Sequence, residues 1–314
     1  MARVHIWNLR IASLKAFGLE FRLHSCQTLE SRELTSVLKK EFELDIAFTA
    51  HNIRLDNGTF TKPEVGQSME ADPWCAAARR ILETVFPGQK SQLRLADLGC
   101  LEGGYAVEFA RMGFQVLGVE VRKENFAACQ YVKANTRLPL LDFVCDNAWN
   151  IAWHGSFDAV FCCGLLYHLD RPKRFLEILS SVTKKLLIVQ THFSTDQVSR
   201  KFPLSDVTEN EGLRGRWYTE FATDDAYQNR EKSKWSSWDN RRSFWIRRDH
   251  LLQAIQDIGF DVVLEQFDGL GAKIVESMNS GYYSTDERGT FIGIKTSPHV
   301  EPRRAAHKES LQAN

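Results

Sequence analysis

Polar and apolar positions follow one rhythm through most of this chain. From Leu93 onward, LRLADLG, QVLGVEV, LLDFVCD, FDAVFCCG and LLIVQTHF are short runs, apolar on both faces. Between them, GGYAVEFARMG, KENFAACQYVKANT and PKRFLEILSSVTKK carry apolar residues at helical spacing. Strands without a polar face need cover on both sides, which predicts a mostly parallel, doubly wound α/β sheet between helical layers. The rhythm breaks over residues 195–245 and resumes with a helix, RRDHLLQAIQDIG, and two more strands, DVVLEQF and GTFIGIKT. Seven strands are therefore expected, with an irregular lid inserted after strand five.

Residues 1–90 read as an N-terminal extension, 91–296 as the main domain, and 297–314 as a flexible tail. Within the extension, ESRELTSVLKKEF (30–42) has helical spacing, and HNIRLDNGTFT (51–61) reads as strand, Asp-Asn-Gly turn, strand. DPWCAAARRILETVF (72–86) predicts a helix capped by Asp72, with Pro73 in its first turn.

Composition narrows the class only a little. Forty basic residues balance forty acidic ones, so no global charge draws the chain to nucleic acid or a membrane. The 195–245 segment is also balanced, and it is rich in aromatic residues. No apolar run is long enough to cross a bilayer. The N-terminal residues lack the apolar core and cleavage site of a signal peptide. The seven cysteines contain no CxxC pair, which suits a reducing cytoplasm and a role as small apolar side chains, and no metal site is expected.

The candidate chemistry lies at the strand tips. LADLGCLEGG ends the first strand and opens the first helix. Its glycines, Gly99, Gly103 and Gly104, are spaced GxxxGG, and they lack the central glycine of a dinucleotide fingerprint. Asp97, two residues before Gly99, would repel a phosphate. A nicotinamide cofactor is thereby disfavoured. Glu120 ends strand two, followed by Val121, and a carboxylate there can accept hydrogen bonds from ribose hydroxyls. Asp146 and Asn147 end strand three, where they can meet an adenine edge. Acids on consecutive strand tips suit an adenosine that carries an amino acid and a positive charge.

These motifs resemble those of the class I S-adenosylmethionine-dependent methyltransferases, over roughly 93–296. The resemblance implies a Rossmann-like fold and S-adenosylmethionine as cofactor. It implies that DLGCLEGG (Asp97, Gly99, Cys100, Leu101, Glu102 and Gly103) wraps the methionine part. Glu120 with Val121 would hold the ribose, Asp146 with Asn147 the adenine, and Cys163 with Gly164 the floor under the sulfonium. One glycine position of the family's DxGxGxG pattern is Leu101 here. FCCGLLYHLDRP and WDNRRSFWIRRDHLLQAIQDIGF also resemble a group that contains the tRNA wobble-uridine carboxymethyltransferase and sugar and small-molecule methyltransferases.

Tyr167 and His168 follow strand four at the mouth of the expected pocket. His168 can serve as a base, since its unperturbed pKa is near neutrality, or it can cap the next helix or pack behind Tyr167. Of the aromatic residues in the lid, Trp217, Tyr218, Trp238 and Trp245 are candidates to face the acceptor, although most such rings are expected in core. His192 is read as a strand-end residue. The expectation is methyl transfer to a hydroxyl, or an amine, of a sugar or small molecule. A tRNA acceptor would need the basic cluster Arg241, Arg242, Arg247 and Arg248 as a docking surface. A protein that holds the cofactor without catalysis is a third reading.

Overall fold

The computed structural model describes residues 46–199, 201–279 and 287–296. The helix expected over 30–42 and the tail expected from 297 lie outside them. Helix α1, Pro73–Val85, starts as the sequence dictates: Asp72 accepts a hydrogen bond from the Cys75 N–H, and proline fills the first position. It buries Cys75, Ala78 and Leu82. The 51–61 segment is less regular than expected, with a single antiparallel bridge between Arg54 and Phe60. Its backbone is occupied locally instead: Ile53 N–H donates to the Thr61 hydroxyl and Leu55 N–H to the Thr59 carbonyl.

Alternating strands and helices follow: β1 Arg94–Leu98, α2 Gly104–Arg111, β2 Gln115–Glu120, α3 Lys123–Ala134, β3 Leu141–Cys145, β4 Phe157–Cys163, α4 Pro172–Val182 and β5 Thr183–His192. The sheet is completed by β9 Val262–Gln266 and β10 Arg288–Ile294, in the order β3-β2-β1-β4-β5-β10-β9. Only β10 runs against its neighbours. Successive side chains of β1 and β4 feed opposite cores. Leu95, Ala159 and Phe161 join Leu82, Phe109 and Phe114 on one face. Ala96, Val160 and Cys162 join Phe175, Leu179 and Phe260 on the other. Gly118 in β2 is a packing requirement, because a Cβ there would lie 2.4 Å from the Phe143 ring.

The 195–245 segment is not irregular. It builds a second, antiparallel sheet from β6 Thr208–Asn210, β7 Leu213–Thr219 and β8 Arg242–Ile246. A short helix α5, Asp224–Gln228, lies between β7 and β8, and α6, Arg248–Asp257, follows. Gly215 lets β7 approach β8 closely, since a Cβ there would lie 2.4 Å from the Trp245 carbonyl. Phe244 and Ile246 enter the main core, and Phe244 N–H donates to the Leu169 carbonyl, so the insert is packed onto the sheet layer. Among the described residues, no helix is long and apolar enough to cross a membrane.

Candidate active site

The strand order reverses between β1 and β4, and a cavity of about 250 Å³ opens at their carboxyl ends. The β1–α2 loop forms one wall. Gly99, Leu101 and Gly103 all have positive φ, at +66°, +54° and +81°. Leu101 is a branched residue held in a left-handed conformation, which costs about 1–2 kcal/mol. Its N–H is fixed on Glu120 Oε2 at 3.0 Å, which accounts for the strain. Gly99 and Cys100 N–H both donate to the Val119 carbonyl, Gly103 N–H to Cys100, and Gly104 N–H to His51. With these donors engaged inside the protein, the loop offers no phosphate cradle.

Acids line the cavity as the strand-tip reading requires. Asp97 is 1% exposed, and its Oδ2 has no hydrogen-bond partner. Burial, aided by the Glu120 charge, pushes its carboxyl up to about 8. Glu120 accepts from Leu101 N–H and from Arg122 N–H at 2.8 Å, and burial raises its pKa too. Asp146 is held by Asn150 and His154, each at 2.8 Å. Asn147 Nδ2 reaches Asp239 of the insert at 2.6 Å.

On the β4 side, Cys163 donates its thiol to Gln190 Oε1, and burial pushes that thiol up to about 12. Gly164 turns at φ +71° and leads into a single 3-10 turn, Leu166–His168. Tyr167 and His168 line the cavity. His168 Nδ1 lies 2.8 Å from Glu220 Oε1, at the start of the chain leaving β7. Glu220 also accepts from the Ser243 hydroxyl at 2.7 Å and the Ser237 N–H at 3.0 Å. A carboxylate on Nδ1 fixes the proton there and leaves Nε2 as the acceptor nitrogen.

Five expected site residues stand elsewhere. Glu102 is fully buried away from the cavity, and accepts from Ala50 N–H, His51 N–H and both donors of Thr49. Gly103 packs against Phe143 and Cys129. Trp217 packs on Phe244 and Arg242. Trp245 is 2% exposed, stacked on His192 at 4.7 Å and on Tyr218 at 5.4 Å. These rings are core, because the insert must fill its own interface with the sheet layer. Trp238 does line the cavity. His192 does not; burial and the Arg288 charge push its pKa down to about 4.

Other cavity residues escaped the sequence reading: His51, Arg122, Asn125, Trp149 and Trp235. Arg122 donates to the carbonyls of Ser233 and Ser236 at 2.9 and 2.7 Å and lies over the Trp238 ring, so it holds the 233–238 stretch against the cavity wall. The buried Asn125 amide lies beside Glu120 in the cavity wall. The orphaned oxygen of Asp97, with acids at the strand tips, fits a polar, cationic nucleoside.

Residues 96–186 match the family model described as a methyltransferase domain. Residues 96–186 thus carry a methyltransferase domain. Among relatives, the domain is 31% identical over 103 residues to the ubiquinone biosynthesis O-methyltransferase of Rhodopseudomonas palustris (strain BisB18), covering 32% of this chain and 40% of that protein. A Geobacillus sp. (strain WCH70) protein with a methyltransferase name is 29% identical over 135 residues, 40% of this chain and 53% of that one. The chain thus spans about half the length, or less, of these curated relatives. The methyltransferase fold extends beyond the matched segment. The N-terminal domain of EvdMO1 with S-adenosylhomocysteine bound superposes with a TM-score of 0.55 at 20% identity, covering 87% of this chain and all of that one.

Proposed function

We propose that the protein transfers a methyl group from S-adenosylmethionine to a hydroxyl of a sugar or small molecule. The His168–Glu220 pair at the cavity mouth carries this reading. When bound, the cofactor supplies an electrophilic methyl on a sulfonium. Asp97 would accept from the ammonium of its amino-acid end, and Glu120 and Asn125 would meet the ribose. Asp146 and Asn147 stand at the adenine end, and Gly164 leaves the backbone open where the acceptor must enter. His168 receives the acceptor's hydroxyl proton on Nε2, while Glu220 holds the ring and stabilises the imidazolium. Tyr167, with its ring 4.1 Å from that of His168, restricts the imidazole's rotation and water access. In-line displacement owes much of its rate to positioning, so the base adds to a geometry set by the walls.

A sugar acceptor is supported by the polar, aromatic mouth, where Trp235 and Trp238 stand beside Ser236 and Ser237. It is further supported by the EvdMO1 domain, whose structure was also determined in the presence of D-fucose. A tritiated-methyl assay over sugars, phenols and amines tests the reading. Label should pass to a hydroxyl compound, and a His168→Ala variant should lose at least about tenfold in rate, the lower range of acid–base catalysis. If calorimetry detects no binding of S-adenosylhomocysteine, the proposal fails.

A further inference from the structure

The segment before the methyltransferase domain contributes a side chain to the cavity. His51 and Ala50 line it together with Gly99, Cys100 and Tyr105. The His51 mounting is unusually complete. Its backbone N–H and that of Ala50 are held by the buried Glu102 carboxylate, at 2.8 and 3.1 Å. Its ring stands edge-on to Tyr105 at 5.6 Å. Its Nδ1 accepts the Gly104 N–H at 3.0 Å, capping α2 from another part of the chain.

That bond assigns the ring's chemistry. An N–H donor on Nδ1 leaves no proton there, so the neutral ring carries its proton on Nε2. Burial favours the neutral ring, against the pull of the Glu102 and Asp72 carboxylates. His51 is 9% exposed and lines the cavity, and the ring's one hydrogen bond to a described residue is at Nδ1. A ring N–H that no protein acceptor takes, on a cavity wall, is suited to a ligand acceptor.

An amino-acid end needs an acceptor for its ammonium and a donor for its carboxylate. Asp97 is the carboxylate of this wall and suits the first. The loop's N–H groups at Gly99, Cys100, Leu101, Gly103 and Gly104 are already engaged, which favours a side-chain donor beside them for the second. We propose that His51 binds the carboxylate of the cofactor's amino-acid end through Nε2–H, making the 49–51 strap part of the cofactor site. This rests on the cofactor reading above.

Calorimetry on the full chain tests it with two probes, S-adenosylhomocysteine and 5′-methylthioadenosine, which lacks the amino-acid end. His51→Phe should weaken S-adenosylhomocysteine about tenfold and leave methylthioadenosine unchanged. His51→Gln, which keeps an N–H donor, should restore part of the loss. Unchanged methylthioadenosine affinity also shows that the variant folds. Equal losses for both probes would mean a structural role, and no loss for either would mean no contact; each overturns the inference. Nitrogen NMR of the free protein should find the Nε2–H tautomer at His51, and an Nδ1–H tautomer would overturn it as well. If the unmodified chain binds neither probe, the cofactor reading itself falls and takes this inference with it.

Discussion

Single residues set the pH behaviour. Free Asp97 keeps its proton up to about pH 8, because burial penalises the charged form. A bound ammonium lowers that value, so below pH 8 binding must expel a proton and above it none. Affinity for S-adenosylhomocysteine should therefore rise from pH 6 to pH 8 and then level off. Calorimetry in buffers of different ionisation enthalpy should show proton release at pH 6.5. Asp97→Asn should flatten the profile and weaken binding by at least about tenfold, the worth of one charge-assisted hydrogen bond. At the other end of the cavity, Glu220→Gln keeps the side chain's size and removes its charge. It should slow methyl transfer and leave S-adenosylhomocysteine affinity unchanged; an unchanged rate would show that Glu220 does not orient the base. Residue-scale contacts were the least legible part of the sequence. His168 meets Glu220 across 52 positions, and His51 meets Gly104 across 53. No local periodicity signals either pairing. Glu102 misled for the opposite reason: it is adjacent to cavity-wall residues in sequence, but the left-handed turn at Leu101 sends its carboxylate to the 49–51 strap.

Among the elements, the strands of the main sheet were readable because burial on both faces leaves them as apolar runs. The small β6-β7-β8 sheet was hidden, since LRGRWYT mixes arginines with aromatic rings. Arg216 is itself buried, with its guanidinium bonded to the carbonyls of Thr195, Ser205 and Asp196. Two elements yield predictions. In β2, Gly118→Ala would drive a methyl into the Phe143 ring. Overpacking of this kind costs about 1–3 kcal/mol, so the thermal midpoint should fall by several degrees, and Phe143→Leu should restore part of it. Between α3 and the insert, Arg122→Met would remove the guanidinium from the Ser233 and Ser236 carbonyls. Proteolytic cleavage within 230–239 should then accelerate, with little change in the thermal midpoint. Equal protection in both proteins would show that Arg122 does not hold this stretch.

For the whole molecule, charge is distributed rather than concentrated. The basic cluster that a tRNA reading needs is tied down locally. Arg241 pairs with Asp224, Arg247 with Asp196 and Asp249, and Arg248 with Glu265. With forty charges of each sign, retention on immobilised tRNA should be absent even at 50 mM salt; salt-sensitive retention would revive that acceptor class. The balance was legible from composition, but the pairing was not, because its partners come from separate elements. The Glu102 clasp has a practical consequence at this scale. The family model covers residues 96–186, but a polypeptide cut at that edge would strip Glu102 of its partners Thr49, Ala50 and His51. An orphaned interior carboxylate costs several kcal/mol, comparable to the entire stability of a small domain. The minimal autonomous unit for expression therefore starts upstream of Thr49, well before the segment that the family model matches.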